Sequence, residues 1–326
     1  MSTQIITQEK AHKLSECIDY YEICNRAEGK SPKTIGWYSG NLRRFLGYLN
    51  LRHLPDSVEA VDIKLLRQYV LYLLKRNRFD HHPYTPAGKE LLSAATVHGH
   101  VRTLRAFFSW LVREGLIEND LARSLKPPKV TRKAVSTLSD QEIRSILNTL
   151  SPTNACNARN QTIFMLLLDT GLRIGELVNL KIDDAHVNEG FLKVLGKGKK
   201  ERIVPIGSNA QKALQRYLFR YRPKSTFPES NNVFLSNSGK SMSENGMKLM
   251  FARLAKRSGV HRLHAHLCRH TFATRFLING GDVFTLQQIL GHATLEMVRY
   301  YVNLAASHVA IQHQKFSPLD RLNLRK

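Results

Sequence analysis

Apolar residues recur at intervals of three and four from Ile35 through Tyr38, Leu42, Phe45, Leu46 and Leu49. That spacing marks one face of an α-helix. Ser31-Pro32 precedes it, with Ser suited to the N-cap and Pro to the first turn. Similar patterns predict helices over residues 8–25 and 62–76. A further helix is expected from Thr96 to Glu114, where Val97, Val101, Leu104, Phe108 and Leu111 share a face and His98, Arg102 and Arg105 lie elsewhere. Asn77 to Leu92 carries His, Pro and Gly and reads as a loop. Residues 1–125 are therefore expected to form a helical domain of four or five helices.

Lys126-Pro-Pro-Lys-Val-Thr-Arg-Lys133 is basic and lacks periodicity, so residues 126–136 read as an extended linker. Thr137-Leu-Ser-Asp-Gln-Glu142 has the form of a capped helix start. Residues 160–180 predict an apolar helix that breaks near Thr170-Gly171 and a second helix carrying Arg173. Phe191 to Leu195 and Arg202 to Ile206 flank Gly196-Lys-Gly-Lys-Lys200, a hairpin pattern. The chain is again mostly helical from Asn209. Asp282 and Gly291 suit the two ends of one short helix, and Thr294 can cap the next, which carries Tyr301. The expected fold is mainly α, with a mixed α+β domain over residues 137–326 built around a small antiparallel sheet.

Charge changes the picture. The net charge is +23, divided as +7 up to residue 130 and +16 beyond it. Positive charge spread over a folded chain favours a polyanion, most often nucleic acid; a solubility-tuned surface or an acidic protein partner is the plainer alternative. No segment has the roughly 20 apolar residues of a membrane span. The opening MSTQIITQEK lacks the pattern of a secretory signal, so a cytoplasmic, nucleoid-associated protein is expected. Cys17, Cys24, Cys156 and Cys268 show no CxxC spacing and suit free thiols. His264, His266, Cys268 and His270 alternate as metal ligands on a strand would, but the residues that follow are helical, which disperses them. No metal or cofactor is expected.

The candidate chemistry converges on Tyr301. Gly291-His292 precedes it, with His292 nine residues away; upstream lie His266-Leu-Cys-Arg-His270 and Thr170-Gly-Leu-Arg-Ile-Gly-Glu176. Phosphoryl transfer needs cations around the non-bridging oxygens, a base for the nucleophile and an acid for the leaving oxygen. Two arginines, several histidines and a cluster of lysines supply these groups. The Gly-Lys-Gly-Lys-Lys run lacks nucleotide-loop spacing and leads from strand to strand. Gly171 and Gly291 read as backbone-conformation residues.

TGLRIGEL, GKGKKERIVPI, HLCRH, LGH and YVNL occur in the order found in the tyrosine recombinases, or phage-type integrases. Residues 137–304 resemble their catalytic domain and the front domain their core-binding, SAM-like domain. The resemblance implies a C-shaped clamp around duplex DNA, without ATP or cofactor. It implies Tyr301 as the nucleophile that forms a 3′-phosphotyrosyl link, with Tyr300 as the adjacent competitor. Arg173 and Arg269 match the phosphate-binding arginines and Lys197 the mobile lysine that protonates the leaving 5′ oxygen, with Lys199 and Lys200 crowding the same loop. His266 matches the candidate base and His292 a phosphate hydrogen-bond donor. Glu176 would orient Arg173, while His270 reads as a structural helix residue. Cys268 stands where Leu is commoner.

By the same resemblance, a homotetramer acts on two DNA sites with inverted-repeat cores through a Holliday junction. Separately, the tail ending in Lys315-Phe-Ser-Pro-Leu-Asp-Arg321 is expected to dock on a neighbouring protomer. Lys33, Arg102, Arg105, Lys199 and Lys200 are the DNA-contact candidates. The helical domain starts almost at once, which favours a two-domain, Xer-like or simple mobile-element enzyme. A type IB topoisomerase-like nicking enzyme and a catalytically silent DNA-binding relative are the competing readings.

Overall fold

The computed structural model describes residues 12–78, 80, 86, 88–130, 136–196, 200–227, 230–291, 301, 313 and 317–319. The chain divides into two compact units, Met1–Arg132 and Lys133–Lys326.

The first unit holds four helices among its described residues: α1 (Leu14–Ala27), α2 (Pro32–Leu51), α3 (Ile63–Leu74) and α4 (Ala94–Arg113). The side chains of Ser31, Asp62 and Ser93 accept hydrogen bonds from Thr34, Leu65 and Thr96 backbone N–H groups and so cap three of them. Ser93 therefore starts α4 two residues earlier than periodicity alone suggests. Lys13 is extended, so α1 begins at Leu14 rather than residue 8. Ile35, Leu42, Phe45 and Leu49 of α2 are buried, as are Val97, Val101, Leu104, Phe108 and Leu111 of α4. Tyr21 packs its ring against Phe107 and Trp110, with centroids 5.5 and 4.9 Å away. Inside this core Asn41 donates to Thr103 at 3.0 Å, and Tyr69 Oη lies 3.3 Å from His100 Nδ1. Lys33, Arg102 and Arg105 are exposed.

The second unit opens with α5 (Asp140–Thr149), held by a reciprocal Ser139–Glu142 capping box. Asn154 caps α6 (Ala155–Thr170), which ends at Gly171 with φ +62°. A Cβ at Gly171 would lie 2.6 Å from both Leu290 and Phe272, so the turn and the close packing both demand glycine. After α7 (Ile174–Val178) come β1 (Ala185–His186), β2 (Phe191–Leu195) and β3 (Glu201–Pro205), an antiparallel sheet in that order with Phe191 opposite Pro205 and Leu195 opposite Glu201. The two-residue β1 is too short to leave a periodic signal, and β3 lies one residue earlier than expected.

The chain continues through α8 (Ser208–Arg216) into a π-helical turn, Tyr217–Tyr221, whose wider period the 3.6-residue pattern does not foretell. α9 (Glu244–Ser258), α10 (Ala265–Ile278) and α11 (Val283–Leu290) follow. α10 packs on α6 and α11, and α11 packs on β3. Thr271 accepts the Leu138 N–H at 2.9 Å, while Arg275 binds Leu138 O and Asp140, tying α10 to the start of α5. Among the described residues no helix is long and apolar enough to cross a membrane. The helix expected from Thr294 lies outside the described residues except for Tyr301.

Candidate active site

The site is organised by the C-terminal end of α11. Asp282 caps the other end through the Phe284 and Thr285 N–H groups, both 2.9 Å away. The last carbonyls of a helix lack intrahelical donors and carry the negative end of its dipole. Here three successive carbonyls each take an arginine. Arg202 Nε donates to Ile289 O at 2.9 Å, Arg269 Nη2 to Leu290 O at 2.9 Å, and Arg173 Nη2 to Gly291 O at 3.3 Å. Arg269 Nη1 also donates to Gly171 O at 2.5 Å. Gly291 closes the helix with φ +61°, and a Cβ there would sit 3.0 Å from the Arg202 guanidinium.

Glu176 joins two of these arginines. Arg173 is the extended N-cap of α7 rather than a residue within a helix, and Glu176 is the third residue of that helix. The Glu176 carboxylate accepts the Arg173 N–H at 2.9 Å, Arg173 Nη1 at 2.8 Å, and both terminal nitrogens of Arg202 at 2.9 Å. Burial alone would raise this carboxyl; the hydrogen bonds from Arg202 and the Arg173 backbone outweigh it and hold the group below its ordinary range. One carboxylate thus balances one of three guanidinium charges, which leaves the cluster suited to an anion. Arg269 is 5% exposed, and burial with Arg173 nearby pushes its pKa down to about 10.

Tyr301 is 2% exposed and packs among Ala273 and Leu277 of α10 and Leu286 and Leu290 of α11. Its hydroxyl lies 2.8 Å from His270 Nδ1. His266, one turn before His270, is an exposed residue, and partial desolvation of its ring followed by the field of Arg269 pushes it below its usual range. A phenol beside arginines gathered at one helix end is an arrangement for attacking a phosphodiester. Residues 136–308 match the family described as "Phage integrase family".

The chain belongs to the phage integrase family.

Residues 18–115 match the companion "Phage integrase, N-terminal SAM-like domain". Tyrosine recombinase XerD of Listeria monocytogenes serotype 4b is 31% identical over 306 residues, 92% of this chain and 97% of that protein. Tyrosine recombinase XerC of Thermodesulfovibrio yellowstonii is 31% identical over 301 residues, 90% and 93% of the two chains. The fold is shared with the Tn1549 transposon integrase in complex with transposon right end DNA (TM-score 0.72, 19% identity, 94% of this chain and 100% of that one). It is also shared with XerH site-specific recombinase bound to its palindromic difH substrate (TM-score 0.68, 20% identity, 91% and 84%). The chain is accordingly a tyrosine recombinase.

Of the residues that the integrase resemblance singled out, the structure gathers Arg173, Glu176, Arg269 and Tyr301 around the end of α11 and places His266 on α10 beside them. Lys197, Lys199 and His292 lie outside the described residues. Lys200 is exposed, and its carbonyl accepts the Gly196 N–H at 2.8 Å across the base of the hairpin loop. Arg202 was missed from sequence, and His270, read there as a structural helix residue, lies against the Tyr301 hydroxyl. Arg202 shares the core-facing side of β3 with Val204, and an inward arginine at that register was the available signal that it needs a buried partner. His270 carried no such mark, because its partner is 31 residues away. Along α10 the alternating His264, His266, Cys268 and His270 separate: His264 is the N-cap, and Cys268 is buried with its thiol pushed up to about 12 by burial. Among the described residues no group of three His, Cys, Asp or Glu side chains is placed to hold a metal ion.

Proposed function

We propose that this chain cleaves and rejoins duplex DNA at a defined site through a 3′-phosphotyrosyl link on Tyr301. The observation that carries the reading is the convergence of Arg173, Arg202 and Arg269 on the last carbonyls of α11, with Tyr301 packed against the same helix. Arg173 and Arg269 bind the non-bridging oxygens and stabilise the charge that grows in the transition state. Glu176 and Arg202 hold Arg173 in place. Lys197 protonates the departing 5′ oxygen, and His266 and His292 complete the phosphate pocket. Because Tyr301 conserves the broken bond as a phosphodiester, resealing needs no ATP.

Family membership supports four protomers on two sites with inverted-repeat cores, exchanging strands in two steps through a Holliday junction. Both units carry net positive charge suited to duplex DNA. Lys33, Arg102 and Arg105 from the helical unit and Lys199 and Lys200 from the hairpin contact the nucleic acid. A mobile-element or chromosomal Xer-like role in the cytoplasm, at the nucleoid, fits this chemistry. The test needs only the protein and DNA: a suicide duplex nicked beside the cleavage site should trap a covalent adduct that Tyr301→Phe abolishes. Recombinant products should require two matched sites. Relaxation of any supercoiled plasmid without site preference would favour a topoisomerase instead, and binding without an adduct a silent relative.

A further inference from the structure

We infer that His270 is the base that receives the proton of the Tyr301 phenol, through its Nδ1. The inference rests on Tyr301 being the nucleophile and adds to that reading the group that activates it.

His270, Ala273 and Leu277 lie three and four residues apart and so form one stripe along α10. The stripe is apolar at Ala273 and Leu277 and polar at His270. Tyr301 packs with the apolar part, while its hydroxyl reaches the polar end at 2.8 Å from Nδ1. The two rings are tilted by 50° with centroids 5.7 Å apart. Leu286 and Leu290 of α11 cover the phenol from the other side. A phenol so enclosed ionises at high cost unless its proton has an acceptor in place. His270 offers one: burial first, then the fields of His266, His264 and Arg269, keep its ring below the usual histidine range, hence neutral near pH 7. The buried Arg269 charge lies close enough to Tyr301 for their fields to interact, which favours the developing phenolate.

His270 starts neutral with its proton on Nε2. The phenol oxygen forms a bond to phosphorus while its proton moves to Nδ1. The bond from phosphorus to the 5′ oxygen breaks, and that oxygen takes a proton from the lysine of the hairpin loop. In resealing the imidazolium returns its proton to the phenol. The base is thus His270 rather than His266, which the integrase resemblance marks for that role.

Single-turnover cleavage of the nicked duplex by the full chain tests this. His270→Ala should cleave about 10²- to 10⁴-fold more slowly, the usual size of a lost general base, with DNA affinity unchanged. His270→Asn keeps a polar atom in reach of the phenol but is not basic, so it should lose as much; it also covers a folding failure of the alanine variant. Difluorotyrosine incorporated at position 301, whose phenol is more acidic, should recover about tenfold or more in either variant and much less in the parent chain. A merely structural defect would not respond to phenol acidity. Cleavage in both variants within about threefold of the parent, or a loss that fluorination leaves untouched, overturns the assignment. Faster cleavage also overturns it, since the contact would then restrain the nucleophile. An adduct that survives Tyr301→Phe would instead remove the nucleophile reading beneath it.

Discussion

Single residues carry the electrostatics of this enzyme, and Glu176 is the most exposed to test. Its carboxylate faces two guanidiniums in a site where its side chain is 6% accessible. Glu176→Gln leaves those charges without their counter-ion, a loss of roughly 3 kcal/mol or more for a buried pair, readable by denaturant unfolding. The sign with pH follows from its depressed native pKa. Its contribution is complete above the unfolded value of 4.5 and is lost as pH falls through the lower native one. The parent chain should therefore lose stability below pH 4.5 by an increment absent from Glu176→Gln. His100 gives a second titration in the helical unit. Burial, then Arg44 and Arg76, pushes it from 6.5 down to about 4. From pH 6.5 to 4 the unfolded chain takes up a proton that the native one refuses, which costs about 3 kcal/mol by pH 4. His100→Gln should flatten that slope in denaturation curves; an unchanged slope would show that His100 is not its source. Motif order in the sequence was enough to pick out Tyr301, Arg173 and Arg269 as a group. Arg202 and the contact between His270 and Tyr301 stayed hidden because the partners lie 26 and 31 residues away. Residue type and helical spacing do not report contacts of that range.

At the scale of elements, local chemistry made the helices legible. Ser31, Ser139 and Asp282 cap helices where the residue types said they would. The ends that were misplaced, such as the starts of α1 and α4, are ends where apolar periodicity says little about which residue caps. β1 and the π-helical turn were invisible because a two-residue strand and a wider helical period leave no pattern in a 3.6- or 2-residue reading. The junction of α6, Arg173 and α11 is the element on which the site depends. Gly171→Ala puts a Cβ in a left-handed turn and 2.6 Å from Leu290 and Phe272. Stability should fall by about 2–4 kcal/mol from backbone strain and overpacking together. Cleavage should fall further than DNA affinity, because Gly171 O and Leu290 O both position Arg269. Equal losses in cleavage and binding would argue that the junction serves only the fold. For the hairpin, Lys197→Ala should lose about 10²- to 10⁴-fold in cleavage. A substrate with a 5′-bridging sulfur, which leaves without protonation, should rescue it. Failure of that rescue would move the acid to Lys199 or Lys200.

At the scale of the whole molecule, both parts of the chain are basic, +7 and +16 about residue 130. A protein that neutralises phosphates with both units should show log affinity falling linearly with log salt, by close to one unit of slope per phosphate contact. Lys33→Ala or Arg102→Ala should lower that slope by about one each, and a salt-independent affinity would contradict phosphate contact altogether. The sequence-level charge and motifs already pointed to nucleic acid, whereas base preference depends on where side chains meet the grooves. In the proposed reaction Tyr301 attacks a DNA phosphodiester and keeps the 3′ end. The most direct measurement is mass spectrometry of the proteolysed adduct trapped on a nicked duplex. The expected product is a peptide carrying a 3′-phosphonucleotide on Tyr301. A nucleotide on Tyr300, or one joined through its 5′ end, would contradict it.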